Sequence, residues 1–327
     1  MKKKIEVIII GIVLAACILL SFLLGRYRVD FASLIGVLSG KIRGTTEAVA
    51  ILNIRMPRIL TAVLVGAALS AAGASYQGVF QNPMAAPDIL GASAGAGFGA
   101  ALAILLGMNS SMITFLAFVM SMITVVLVMM ISKRTKGEKV LGLVLAGIMI
   151  SSLFQAGTSF IKLVADPTNK LPAITYWLMG SLVGATNREL KFVIWPILIG
   201  TVPLMALRWR INVLTLGDDE ARSLGVNPEK TRAVVIACAT LLTAASVSVS
   251  GMIGWVGLVI PHMMRRIVGS DYRYLLPASM FGGGAFLLLV DNFSRNISTS
   301  EIPIGILTAF VGAPFFILLI TRRNEFR

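Results

Sequence analysis

Apolar runs of about 20 residues, the length an α-helix needs to cross roughly 30 Å of hydrocarbon, follow one another from end to end of this chain. In a bilayer core each backbone N–H and C=O must be paired within the fold, so a chain of such runs becomes a bundle of helices. By hydropathy the spans are roughly 5–25, 58–80, 89–107, 112–132, 139–162, 190–208, 231–249, 251–267, 275–296 and 303–321. The expectation is an all-α, polytopic membrane protein of about ten transmembrane helices, one transmembrane domain over 1–327, with no soluble domain left over. Lys2 to Lys4 followed by IEVIIIGIVLAAC resembles a secretory leader, and LAAC at 14–17 a lipoprotein cleavage box. The run continues through ILLSFLLG, however, which predicts an uncleaved first helix.

The uncharged stretch 233–264 is too long for one crossing and short for two, and charge decides between them. Two crossings, turning at SVSGMIGWVG with a short eighth helix, place 18 of the 29 Lys and Arg on one side together with both termini. By the positive-inside rule that side is cytoplasmic. The net charge of +14 is thus explained by short loops, and no nucleic-acid partner is predicted. The other 11 cations, Arg55, Arg58 and Arg295 among them, fall outside. Asp291 and Arg295, four apart in acid-first order, predict one local pair. A cationic rim that docks an acidic soluble partner is the sharper expectation.

The segment QNPMAAPDILG, 81–91, interrupts the pattern on the cytoplasmic side. Pro83 and Pro87 cannot continue a helix and push the residue before each out of the α region, predicting a fixed turn at the inner mouth. Gly91, Gly95 and Gly99 then give the third helix a small-residue face that another helix can approach closely.

Enzyme chemistry is not predicted. The chain has no phosphate-cradling G-x-x-x-x-G-K-[ST] and no G-x-S-x-G elbow. With a lone His262, read beside Pro261 as a structural helix-end corner, and two distant cysteines, Cys17 and Cys238, no metal-ligand cluster is expected. Asp88 and Asp291 map to helix breaks or ends, so an ion- or proton-coupled secondary carrier, the alternative reading, lacks a mid-helix acid. Transport energy then has to arrive from another subunit. The longest cytoplasmic loop, Arg208 to Arg232, alternates apolar residues with charges. Asp218, Asp219 and Glu220 favour the start of a short helix that Gly225 and Pro228 end, a surface fit for a partner's groove.

Four stretches taken together, 55–97, 216–226, 251–273 and 302–319, resemble the transmembrane permeases of type II ABC importers for iron-siderophore, haem and cobalamin, the FecCD-like family. The resemblance implies a ten-helix, non-enzymatic subunit of a bacterial or archaeal plasma membrane, paired with a second copy or a paralogue. It also implies a cytoplasmic ATPase dimer that uses ATP and Mg, and an extracytoplasmic substrate-binding protein; this chain itself binds no cofactor. By position, Arg55, Arg58 and Arg295 match the cations that receive the binding protein. Asn82, Pro83 and Met84, with Thr135 in the KRTKGEK loop, match the cytoplasmic gate. Leu216, Gly217, Asp218, Asp219, Glu220, Ala221, Leu224 and Gly225 match the ATPase-coupling segment. The implied cargo is a metal chelate, with a ferric siderophore favoured over haem or cobalamin.

Overall fold

The structure, a computed structural model, describes residues 2–25, 27, 29–134, 139–297 and 300–321. Each expected span is a helix: α1 (Lys2–Leu23), α4 (Met56–Val79), α5 (Ala92–Leu105), α6 (Ser110–Arg134), α7 (Lys139–Val164), α9 (Asn187–Leu214), α11 (Pro228–Ser250), α12 (Val256–Val268), α13 (Tyr272–Ile297) and α14 (Ile304–Thr321). Between them lie the shorter α2 (Phe31–Leu38), α3 (Thr46–Val49), α8 (Lys170–Leu178) and α10 (Asp218–Ser223), and a π-helical stretch, Ala50–Arg55, joins α3 to α4. Seven of the ten are long and apolar enough to cross a membrane; α5, α12 and α14 are shorter.

Local backbone explains where boundaries moved. The helix α5 starts at 92 rather than 89 because Gly91 stands in the left-handed region, at φ +75°. The eighth helix, α12, starts at 256 rather than 251 because Gly251 (φ +65°) and Trp255 (φ +70°) do the same. At the other end of that stretch Pro228 opens α11 while the Asn227 side chain accepts from the Lys230 amide at 3.0 Å.

Hydrogen bonds between loops define the two ends of the bundle. At one end Gln81 Nε2 donates to Leu214 O at 2.7 Å, and Asn212 bridges the α12–α13 turn, donating to Asp271 at 2.7 Å and accepting from the Tyr272 amide at 2.8 Å. Arg273 holds the Asp271 carboxyl down to a pKa of about 2. At the opposite end Lys170 Nζ caps α5 at Leu105 O (2.7 Å), the Ser181 amide donates to Ser250 O (2.7 Å) and the Ile304 amide to Gly180 O (2.9 Å). The stretch 228–268 therefore runs along the bundle twice, along α11 to Ser250 at this end and back through the short α12.

The centre of the bundle is α4, buried on nearly every face by α9, α11, α12 and α13. Its run GAALSAAGASYQG has the small side chains such a position demands. A Cβ on Gly73 would lie 1.7 Å from Gly257 O, and one on Gly66 2.2 Å from Gly283 O, so α4 touches α12 and α13 backbone to backbone. The glycine face of the third span behaves likewise: Cβ atoms on Gly95 and Gly99 would meet Thr124 Oγ1 at 2.0 Å and Leu116 O at 2.5 Å, both on α6. Polar ties add direction, Tyr76 Oη to Thr240 Oγ1 at 2.8 Å and Tyr272 Oη to Ala74 O at 3.0 Å.

Candidate functional site

Three clusters lie along the bundle, one at each end of α4 and one on the α9–α11 link. The first gathers the three arginines singled out in the sequence. Arg55 and Arg58 stand one helical turn apart, and Arg295 reaches them from the last turn of α13; all three border one cavity with Gly25, Tyr27 and Glu301. They do not project as a free rim, being only 5%, 8% and 8% exposed. Arg55 donates to the carbonyls of Phe22 and Tyr27, fastening the end of α1, and a Cβ on Gly25 would come within 2.7 Å of its guanidinium. Arg58 grips two carboxylates: Nη2 lies 2.8 Å from Asp291 and 2.7 Å from Glu301, with Nε and Nη1 completing the fork. Arg295 bonds Ser21 O at 3.0 Å and the Asn292 side chain.

One sequence expectation changes here and another is extended. Asp291 lies not near solvent but at 0% exposure, and the expected i,i+4 pair with Arg295 forms at 4.0 Å alongside a closer, unforeseen partner, Arg58 at 2.8 Å. A buried carboxylate needs a guanidinium with several aligned donors, and Arg58 is so placed. Glu301 was passed over in the sequence. The signal available was charge: an acid directly before IPIGIL, on the side where cations outnumber acids.

The second cluster is the corner 80–91 itself. After Phe80, Gln81 turns the chain at φ +49°, and two successive turns follow, each with proline in second place. The Ala85 amide closes the first on Asn82 O and the Ile89 amide the second on Ala86 O, both at 3.1 Å. Asn82 Oδ1 also accepts from the Met84 amide at 2.9 Å, an Asx turn that fixes its side chain. Asn82, Pro83 and Met84 are exposed at the tip. The rest of the corner is anchored: Ala85 and Leu90 are buried, and a Cβ on Gly257 would meet Pro87 Cγ at 2.2 Å. The segment thus doubles back into the bundle rather than lying across its mouth. Asp88, its carboxylate accepting from the Ser93 amide at 3.0 Å, lines a cavity of about 280 Å³ with Leu69, Thr243 and Trp255. Thr135, the other gate residue expected, lies outside the described residues.

Met252, Gly254 and Trp255 also wall a second cavity of about 720 Å³, completed by Met179 and by Ile306 and Phe310 of α14, with no charged side chain on it. Between the two cavities Trp255 holds its left-handed backbone, a costly conformation for a bulky residue, while its ring meets Phe316 edge-on at 6.3 Å.

The third cluster is the link after α9. Gly217 enters α10 at φ +126° and Gly225 leaves it at φ +77°. The Val226 amide returns to Ala221 O (2.9 Å) and the Gly225 amide to Arg222 O (3.0 Å), a Schellman ending. Asp218 pairs with the buried Arg232 at 2.8 Å, and Ala221 is fully buried. The apolar residues of this loop divide: Ile211, Val213, Leu214, Ala221 and Val226 face the bundle, whereas Leu216 and Leu224 stand 60% and 54% exposed. Asp219 and Glu220 are exposed beside them.

A ten-helix bundle with small residues at its centre, uncharged walls on its larger open cavity and a rigid corner at one mouth is a membrane permease subunit. The chain belongs to the FecCD transport family, which it matches over residues 13–322. It is 39% identical over 301 residues to the molybdate import system permease protein of Haemophilus influenzae, covering 91% of this chain and 89% of that one. To an iron chelatin transport system permease protein of Helicobacter pylori it is 41% identical over 275 residues, 84% of this chain and 83% of the relative. Among solved structures, a metal-chelate type ABC transporter in an inward-facing conformation superposes with a TM-score of 0.88 at 37% identity, covering 97% of this chain and 98% of that one. The fold is that of a type II ABC importer permease, and the chain is a permease subunit of that class.

Proposed function

We propose that this chain forms one half of a conduit for a metal chelate, a ferric siderophore before haem or cobalamin, in the plasma membrane of a bacterium or archaeon. A second copy or a paralogue supplies the other half, lipid surrounds the exposed apolar faces of α1, α6, α7 and α9, and both termini are cytoplasmic. A binding protein delivers cargo at the Arg55–Arg58–Arg295 end. An ATPase dimer, using ATP and Mg, seats on the link 214–226; ATP binding rocks the bundles, and Asn82, Pro83 and Met84 narrow the inner mouth when the cycle resets. Met84 is a soft, adaptable plug. A chelate suits the walls: the 720 Å³ cavity is lined by Met, Trp, Phe, Ile and small residues, and Asp88 on the adjoining cavity is an acid that would repel an oxyanion such as molybdate.

The observation that carries this reading is α10, a helix locked to the bundle by Asp218–Arg232 and Ala221 yet flanked by two bare leucines, Leu216 and Leu224. Such a knob transmits force only when something grips it. Changing Leu216 and Leu224 together to Asp is therefore expected to leave a monodisperse, folded permease that no longer co-purifies with its ATPase. Undiminished co-purification would overturn the assignment.

A further inference from the structure

The arginine cavity, about 210 Å³, holds more positive than negative charge. Among the described residues, Arg55, Arg58 and Arg295 face only Asp291 and Glu301. Arg295 Nε has no hydrogen-bond partner although the residue is 8% exposed, an unmet demand for an acceptor. The two carboxylates present are not equivalent. Asp291 is sealed inside α13, whereas the Glu301 side chain is 25% exposed and belongs to the short link between α13 and α14.

That link is tied at both sides. Ile302 O accepts from Ser294 Oγ at 2.6 Å, and two residues on, the Ile304 and Gly305 amides bond Gly180 O and Met179 O at 2.9 and 3.1 Å. Met179 and Gly305 border the 720 Å³ cavity. The grip of Arg58 on Glu301 is thus continuous, through the five residues 301–305, with the contact that sets α14 against the end of α8.

We propose that Glu301 is an internal stand-in for a partner's carboxylate. In the free permease it occupies Arg58; an acidic side chain of a docked binding protein displaces it and satisfies the arginine excess, and the released link loosens α14 at the cavity mouth. This rests on the docking reading above. It turns docking from simple adhesion into an exchange of ion pairs, in which the permease registers that its partner has arrived.

The test uses the complete transporter in nanodiscs, with the soluble binding protein that stimulates its ATP hydrolysis as probe. Glu301→Gln keeps the shape of the side chain and one acceptor for Arg58 while removing the competing charge. The binding protein is expected to bind this variant about tenfold more tightly, the scale of a close charge pair. A spin label at Ile306 is expected to be mobile in the variant from the outset, and in the unaltered chain only after docking. Unchanged or weaker binding, or a label that stays immobile in the variant, overturns the proposal. Arg55→Gln and Arg295→Gln separate the two ideas: weaker docking there with unaltered affinity in Glu301→Gln sinks the exchange alone, and unaltered docking there sinks the docking reading with it.

Discussion

Replacing Arg58 by alanine is expected to cost about 3–5 kcal/mol of stability, enough to remove most folded protein from the membrane. The reason is Asp291. Its carboxylate is fully buried on α13 and held by Arg58 at 2.8 Å, while the remaining cation, Arg295, stands 4.0 Å off and is committed to Ser21 and Asn292. Removing Arg58 leaves a charge in the bundle with neither water nor a close partner. Adding Asp291→Asn to the same chain removes that charge and is expected to recover more than half of the loss, measured as the thermal transition of the detergent-solubilised protein. A single alanine variant as stable as the parent would show that Asp291 is stabilised in some other way. Charge reversal at Arg55 and Arg58, the obvious probe of docking, is confounded by the same physics, because it attacks the core of the bundle as well as its rim.

The second large effect is expected at Gly73. Valine there must place Cβ where Gly257 O now stands, 1.7 Å away, with Gly257 C and Cα at 2.5 and 2.8 Å. All three atoms are backbone, so no rotamer change relieves the clash and α4 and α12 have to separate. Ordinary overpacking costs about 1–3 kcal/mol, and a wedge between two backbones belongs at or above the top of that range. Gly184, with open space around it, is the control: Gly184→Ala is expected to shift stability by less than about 0.5 kcal/mol. Equal melting of the two variants would contradict the packing described for α4. Because Gly257 also seats Pro87, the wedge is expected to disturb the corner at 81–91 too.

These two sites mark the boundary of what the amino-acid order discloses. Hydropathy located a helix at each of the ten expected positions, since an apolar run of about 20 residues is a local property. The stretch 228–268 is two helices, α11 and α12, as expected, and the acids and glycines around α10 forecast both its ends. Three elements escaped: α2, α3 and α8 have 8, 4 and 9 residues, too short for a span-length window. Long-range partners escaped as well. Arg58 and Asp291 lie 233 positions apart, so the visible i,i+4 spacing disclosed the Arg295 pair but not the closer Arg58 one, and burial turned a supposed rim into an internal clamp. The glycines of α5 were legible as a stripe, whereas the meeting of Gly73 with Gly257 depends on how two helices cross.

At the corner itself, the prolines foretold a turn but not its depth. Only the seat of Pro87 against Gly257 shows that the chain re-enters the bundle and carries Asp88 to a cavity wall. That depth matters for the rival mechanism. An acid beside the pathway is what an ion-coupled carrier requires, so energy source has to be decided by transport itself.

The central claim, a passive conduit driven by a separate motor, is tested most directly by uptake of a radiolabelled ferric chelate into vesicles holding this permease, its ATPase and its binding protein. Uptake is expected only when ATP and Mg are supplied to the face that carries α10, and to be indifferent to imposed proton or sodium gradients. Accumulation driven by such a gradient with no nucleotide present would contradict the account.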